Sequence, residues 1–260
     1  SKPSQLVQRF QAARRDASLA VLEGFHPLKH ALRFGAVVET VVTWQPKLLE
    51  ELGEMLAPDV AQEIQKRLIT VDEATFRQLA PQPPRTGVIS LAQRPQVNAQ
   101  ELLLADRQAP LLVLERPADL GNIGAAIRVA AGAGASGVVT TGPNDPWHAA
   151  AIRGAAGLQY ALPVGRVESL TDVNGPLLAV HPEGETLVPG LIPPNAVLVF
   201  GSERRGLSDA MLSRVERPIA IPMEPGVSSL NLATSVAIML YTWRLWQAFG
   251  GERRQEVHGT

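Results

Sequence analysis

Apolar and polar positions fall into two textures along this chain. Over residues 1–95 the patterns are short and mixed. QLVQRFQAARR has helical spacing, LAVLEG reads as a strand closed by Gly24, and HPLKHALRFG reads as a helix stopped at Gly35. VVETVVTW is a strand. PKLLEELGEML is a helix with Pro46 in its first turn, where a missing N–H does no harm. AQEIQKRL adds a helical piece, ITVD a short strand, EATFRQLA a helix and TGVISLAQ another strand. Alternation of this kind predicts a compact α/β unit.

Two Pro- and Gln-rich stretches follow, PQPPR (81–85) and RPQVNAQ (94–100), and then the pattern becomes regular. PLLVLE, GVVTTG, ALPV, PLLAVHP, AVLVFG and PIAIPM are short apolar runs. Between them, NIGAAIRVAAGAGA, DPWHAAAIRGAA, VESLTDV and GLSDAMLSR read as helices or helical turns, and SLNLATSVAIMLYTWRLWQAF closes the region as a long helix. Apolar runs alternating with helices predict a parallel sheet covered on both faces. These shifts place one domain at 1–96, a linker at 97–108 and a second domain at 109–260.

Composition narrows the chemistry. The chain has 260 residues and no cysteine, which excludes disulfides, cysteine-ligated metals and a catalytic thiol. No run of about 18 apolar residues lacks a charge or a turn former, so no membrane span is expected. SKPSQLVQRFQAARR has no apolar core of signal-peptide type, and the cytoplasm is the expected compartment. Residues 1–98 hold 12 basic and 10 acidic side chains and residues 99–260 hold 12 and 15, so charge by itself declares no nucleic-acid partner.

Three strand ends carry candidate chemistry, since ligands gather at the carboxyl ends of strands in open parallel sheets. LGNIGAAIRVA (120–130) fits neither the G-x-G-x-x-G nor the G-x-x-x-x-G-K-[ST] spacing. If its helix starts near Asn122, that residue can cap it, with Arg128 on the second turn. VFGSERRGLS (199–208) runs a strand into Gly201, with Glu203 in the loop and Gly206 at its end. IAIPMEPGVSSLNLATS (219–235) ends a strand at Pro222 and begins a helix around Ser229, where Ser228 or Ser229 would be the cap and Asn231 would lie in the first turn. Each loop alone reads as an ordinary capped or Gly-bounded turn.

Their order and spacing resemble something more specific. N-x-G-x-x-x-R, then G-S-E-x-x-G-L-S after a strand, then I-P-M…S-L-N resembles the three motifs of the SPOUT RNA methyltransferases, in their SpoU branch, over about 109–247. Residues 20–42 and 85–95 resemble, more loosely, that branch's small ribosomal-protein-like substrate-binding domain. The resemblance implies an α/β fold with a mostly parallel sheet and a deep trefoil knot, which topology rules alone would not suggest. It implies S-adenosylmethionine as cofactor, held by Ala179, Val180, His181, Gly201, Ser202, Glu203, Gly206, Ile221, Met223, Ser229 and Leu230. It implies catalysis at a ribose 2′-hydroxyl of tRNA or rRNA by Arg128, Asn122, Glu203, Ser229 and Asn231. In that scheme Arg128 is general base or orienting group, Asn122 holds Arg128 or the hydroxyl, Glu203 orients Arg128 or Asn231, and Asn231 with Ser229 completes the polar shell. No metal is implied. It also implies a homodimer with a shared site and the last helix in the interface. Trp243, Trp246 and Phe249 fit that contact or an internal core equally well by sequence.

Two other readings compete. An RNA-binding protein with a vestigial site would need a broken motif, and all five polar residues are present. A nucleotide-dependent Rossmann enzyme would need the missing glycine fingerprint and an acidic residue after the second strand, where GVVTTG has none.

Overall fold

The computed structural model describes residues 2–256. They divide into two compact units. One comprises the chain up to Gln96 together with Trp147–Ala161, and the other comprises Val97–Pro146 and the chain from Leu162 onward.

The first unit begins with α1 (Lys2–Ala13), β1 (Leu19–Glu23), α2 (Phe25–Arg33), β2 (Val38–Thr43) and α3 (Pro46–Leu56). It continues with α4 (Ala61–Gln65), β3 (Leu68–Thr70), α5 (Glu73–Arg77) and β4 (Val88–Gln93). The strands form one sheet in the order β1-β4-β2-β3, antiparallel except for the β2–β3 pair. Apolar spacing orients the helices: in α2, Phe25, Leu28 and Ala31 recur every three residues and are buried. Pro46 opens α3.

The second unit starts where a linker was expected. Residues 99–104 form α6 (Ala99–Leu104), capped by the Asn98 side chain. Leu103 is fully buried and belongs to this unit's core with Leu111, Val113 and Val139. Burial of one apolar face thus makes part of this stretch a structural element, despite its Pro- and Gln-rich start. Then come β5 (Leu111–Leu114), α7 (Leu120–Ala133) and β6 (Gly137–Thr141). Every residue of the three strands' central pair and neighbour, β5, β6 and β9 (Val197–Phe200), is buried, as continuous apolar runs require. The remaining elements are α8 (Ala149–Gly154), β7 (Val164–Val167), β8 (Leu177–Thr186), α9 (Asp209–Leu212), β10 (Arg217–Ala220) and α10 (Leu232–Glu256). Of VESLTDV, expected as a helical turn, Val167 ends β7 and the rest is irregular chain. The six strands form one wholly parallel sheet, β10-β8-β9-β5-β6-β7. From β5 the chain steps outward through β6 and β7; from β9 it steps the other way to β10. The strand order thus reverses between β5 and β9, and it is beside such a switch point that ligands gather in open parallel sheets.

Helix α8 and the turn after it pack within the first unit. The buried Glu23 carboxylate at the end of β1 accepts from Arg14 at 2.7 Å and also from Arg153 of α8. His30 donates through Nδ1 to the Ala156 carbonyl at 2.6 Å, and the Tyr160 hydroxyl donates to the Gln93 carbonyl at 3.0 Å. Burial holds the His30 imidazole below its ordinary pKa and lifts the Tyr160 hydroxyl well above its own. Glu23 is the anion among these anchors, and it cannot be left alone. Removing both guanidiniums, Arg14→Ala with Arg153→Ala, strands a buried carboxylate and should cost about 3–5 kcal/mol of stability in urea unfolding. A cost under about 1 kcal/mol would show that water reaches Glu23.

Candidate active site

The site is built from three loops at the carboxyl ends of β5, β9 and β10. After β5, Asp119 rather than Asn122 caps α7, accepting from the Asn122 backbone N–H at 2.7 Å. An aspartate three residues earlier has the reach for that bond, and this frees the Asn122 side chain to face outward. Arg128 consequently lies on the third turn of α7, not the second, and is exposed.

After β9 the chain folds back on itself. Ser202 and Gly206 exchange two backbone hydrogen bonds of 3.1 and 2.9 Å. A Cβ on Gly201 would lie 2.1 Å from the Gly206 carbonyl carbon, so only glycine lets the two backbone stretches meet. The folded loop aims Glu203 at the turn after β5. Its carboxylate accepts from the Ala118 N–H at 2.9 Å, the Asp119 N–H at 3.3 Å and the Asn122 amide at 3.1 Å. Partial burial alone would raise its pKa, but these donors outweigh burial and hold the carboxyl below the usual range. Glu203 is therefore ionised and occupied. It bonds neither Arg128 nor Asn231, the two partners expected for it.

After β10, the expected serine cap is replaced. α10 begins at Leu232, and Asn231 caps it by accepting from Ala233 and Thr234 at 2.9 and 3.3 Å. Its amide nitrogen then donates to Asn122 Oδ1 at 3.2 Å. The chain Glu203–Asn122–Asn231 has one consistent polarity: the carboxylate can only accept, so the Asn122 amide must donate to it and its carbonyl must accept from Asn231.

These residues rim a cleft of about 540 Å3. Of the residues expected to hold a cofactor, Val180, His181, Gly201, Ser202, Glu203, Gly206, Ile221, Met223, Ser229 and Leu230 line it, with Phe200 as a further apolar wall. Ala179 does not. It is buried in β8, paired with Val199 and Pro218. The wall beyond it comes from a break in register: Pro218 faces Ala179 but Ile219 faces Glu185, so 180–184 bulge within β8, and Val180, His181 and Pro182 of that bulge line the cleft. Of the residues expected to act in catalysis, Asn122, Glu203, Ser229 and Asn231 line the cleft and Arg128 does not. Among the described residues no cluster of His, Asp or Glu could hold a metal, and no helix is long and apolar enough to cross a membrane.

The model of the SpoU rRNA Methylase family matches residues 109–241, just over half of the chain. The chain belongs to that family. An uncharacterised tRNA/rRNA methyltransferase of Synechocystis is 36% identical over 151 residues, which is 52% of this chain and 53% of that protein, so the match spans about half of each. The 23S rRNA (adenosine(1067)-2′-O)-methyltransferase of Streptomyces azureus is 27% identical over 91% of this chain and 90% of its own. Among solved structures, the SpoU methyltransferase AviRb of Streptomyces viridochromogenes, in complex with AdoMet, has a TM-score of 0.75 at 23% identity, over 93% of this chain and 98% of its own. The α/β fold with a mostly parallel sheet is thus shared with SpoU methyltransferases.

Within this SpoU-family site, two residues escape a motif reading, Asp119 and Glu115. Asp119 caps α7. Glu115, at the end of β5, accepts from the Ser208 N–H at 2.7 Å and its hydroxyl at 2.8 Å. Ser208 in turn caps α9 through the Met211 N–H. The only sequence signal for Glu115 was a carboxylate closing an apolar run. The two carboxylates exchange places: Glu115 reaches from the β5 loop to the β9 loop, and Glu203 reaches back. Glu203→Gln puts an NH2 among N–H donors. Amide exchange at Ala118 and Asp119 should rise about 10- to 100-fold, the worth of a hydrogen bond to a charged acceptor. Because the Glu203 carboxyl is held low, this protection is complete at neutral pH and fades only as pH falls through the lowered pKa, never as pH rises. Unchanged exchange in the variant would remove Glu203 from this role.

Proposed function

We propose that this chain transfers the methyl group of S-adenosylmethionine to a ribose 2′-hydroxyl of RNA. The observation that carries the reading is the Glu203–Asn122–Asn231 chain at the rim of the cleft, inside the stretch matched by the SpoU rRNA Methylase family. The cleft fits the cofactor in size and lining. Its volume of about 540 Å3 lies within the range of small-molecule sites. Val180, Phe200, Ile221 and Leu230 offer apolar surface to a heteroaromatic base, while His181, Ser202 and the Ser202–Gly206 turn offer polar groups. When bound, S-adenosylmethionine supplies an electrophilic methyl group on a good leaving group. The remaining work is to position the hydroxyl and remove its proton.

The Asn122 amide holds one N–H on Glu203, and its other N–H is available to the hydroxyl. Arg128 follows six positions later, about 120° around α7 and about 9 Å along it. Among the described residues its guanidinium has no hydrogen bond or ion pair. That position suits a site completed by a second copy of the chain, where Arg128 orients the ribose and its neighbouring phosphate. An arginine stays protonated, so we assign it orientation and proton relay in preference to free-base chemistry. We further propose that the carboxyl-terminal region closes as a trefoil knot, that the first unit is the substrate-binding domain, and that the enzyme works in the cytoplasm on tRNA or rRNA. The 23S rRNA acted on by the Streptomyces azureus relative makes rRNA the first substrate to test.

Exposed apolar side chains on α10 support a homodimer. Tyr241, Leu245 and Phe249, spaced four apart, are 39%, 54% and 59% exposed. Trp243 is buried inside its own unit and does not contribute. Leu245→Glu with Phe249→Glu should convert a dimer to a monomer in light scattering and abolish methyl transfer; a monomeric wild type overturns the proposed assembly.

The activity is tested by calorimetry and by tritiated methyl transfer to unmodified rRNA and tRNA. S-adenosylmethionine should bind while NAD and ATP do not. Arg128→Ala should leave that binding intact, because Arg128 lies outside the cleft, and should lower turnover by about 10²–10⁴-fold. Retained turnover would remove the guanidinium from the chemistry. Absence of S-adenosylmethionine binding would overturn the proposal.

A further inference from the structure

Arg116 stands out from the rest of the chain. It is one of two non-glycine residues with positive φ among the described residues, at +45°. Left-handed backbone is costly for an arginine and persists only where the surroundings over-determine it. Here they do, from every side. The Arg116 N–H donates to the Thr141 hydroxyl at 3.1 Å, and Thr141 is buried. Before it, Glu115 is tied to Ser208 by two bonds. After it, the Pro117 carbonyl accepts from the Asn144 amide at 2.8 Å, and the Ala118 N–H is held by Glu203.

The stem of the side chain is also seated. A Cβ on Gly142 would lie 3.2 Å from Arg116 Cγ and 3.4 Å from its Cα, so a glycine lies directly beneath it. The Gly142 and Pro143 carbonyls of that supporting turn accept from Arg166 at 3.2 and 3.1 Å. Yet Arg116 itself is exposed, and among the described residues its guanidinium has no partner. A strained backbone, a seated stem and an empty charged fork are together the signature of a group held ready for a ligand. The turn lies at the carboxyl end of the central strand. Arg116 is two residues from Ala118, whose N–H binds Glu203, which places the two Cα atoms within about 7 Å.

We propose that Arg116 grips a phosphodiester of the substrate RNA beside the target ribose. This rests on the RNA-methyltransferase reading, since that is what brings a polyanion to this edge. A guanidinium fork matches phosphate oxygens in pairs, and a fixed one aligns the strand as well as attracting it. The strain is then the cost of aiming the fork rather than letting it sweep solvent.

The test uses the full chain, a fluorescently labelled unmodified 23S rRNA transcript and three variants. Arg116→Gly and Arg116→Asn both accept the left-handed backbone, so the turn survives without the guanidinium. Both should melt within a few degrees of wild type or above it, and bind S-adenosylmethionine unchanged. Both should raise the RNA KM about tenfold. The slope of log Kd for RNA against log salt should flatten by about 0.7, the value for one lost phosphate contact on a single strand. Arg116→Lys should restore most of the salt slope but not the KM. An unchanged salt slope in the Gly and Asn variants overturns the proposal. If wild type binds the transcript but methylates no RNA, the enzymatic reading fails while the salt slopes still judge Arg116. If wild type binds no RNA at all, both fail.

Discussion

The Glu203 carboxylate takes three hydrogen bonds from a single turn, and the rest of the site is arranged by that fact. β5 and β9 are neighbours in the sheet, but their following loops diverge, and nothing in sheet pairing would keep those loops in register. A carboxylate can do so at small cost because the turn after β5 offers backbone N–H groups that have no helix partner of their own. Once the Asn122 amide is fixed as donor to Glu203, its carbonyl is fixed as acceptor, and Asn231 must present its nitrogen. Asn231 can do that because its oxygen is committed to capping α10. One charge therefore sets the orientation of two amides and the start of the last helix.

This constraint works only if the backbone arrives in the right place, and the sequence spends its small residues there. Gly201 lets the β9 loop double back within van der Waals distance of itself. Gly184 does the same where β8 passes β10: a Cβ there would meet Ile219 N and Pro218 C at 2.5 Å. That contact coincides with the slip in pairing that bulges β8 at 180–184. The cleft is thus a consequence of backbone packing, with side chains lining a space that glycine positions have opened. Insertion of a methyl group at either place would move a wall, not merely crowd it.

Much of this was legible in the sequence, and the failures have a pattern. Continuous apolar runs at 111–114 and 197–200 announced central parallel strands, because only strands buried on both faces can be apolar throughout. Spacing of the three loop motifs identified the family and brought ten of eleven expected cofactor residues to one cleft. The exceptions concern register and reach. Ala179 was expected to face the cleft, but the bulge begins one residue later. Ser228 or Ser229 was expected to cap the last helix, since serine is a good cap; Asn231 took the role because capping also aims its amide at Asn122. Helix α6 was taken for linker because Pro95 and Gln96 hide a short amphipathic stretch whose Leu103 completes the core. The excursion of 147–161 into the first unit rests on long-range contacts such as Arg153 with Glu23, a pairing separated by 130 positions that no local pattern carries.

The electrostatics also limit what kind of catalyst this site can be. The one carboxylate lining the cleft accepts three hydrogen bonds that outweigh its burial and hold its pKa below the usual range, so it is a weak proton acceptor. His181 Nδ1 accepts from the Glu183 N–H at 3.2 Å, so that nitrogen is already taken. Neither group is set up to strip a proton from an alcohol. What the loops supply instead is direction: amides of fixed polarity, a strained turn that aims a guanidinium, and a second guanidinium outside the cleft on α7. A reaction whose donor already carries a good leaving group requires little more than alignment and a route for one proton. The failure of the 120–130 turn to match any phosphate-loop spacing fits the same division of labour, because Asn122 answers to Glu203 and not to a phosphate.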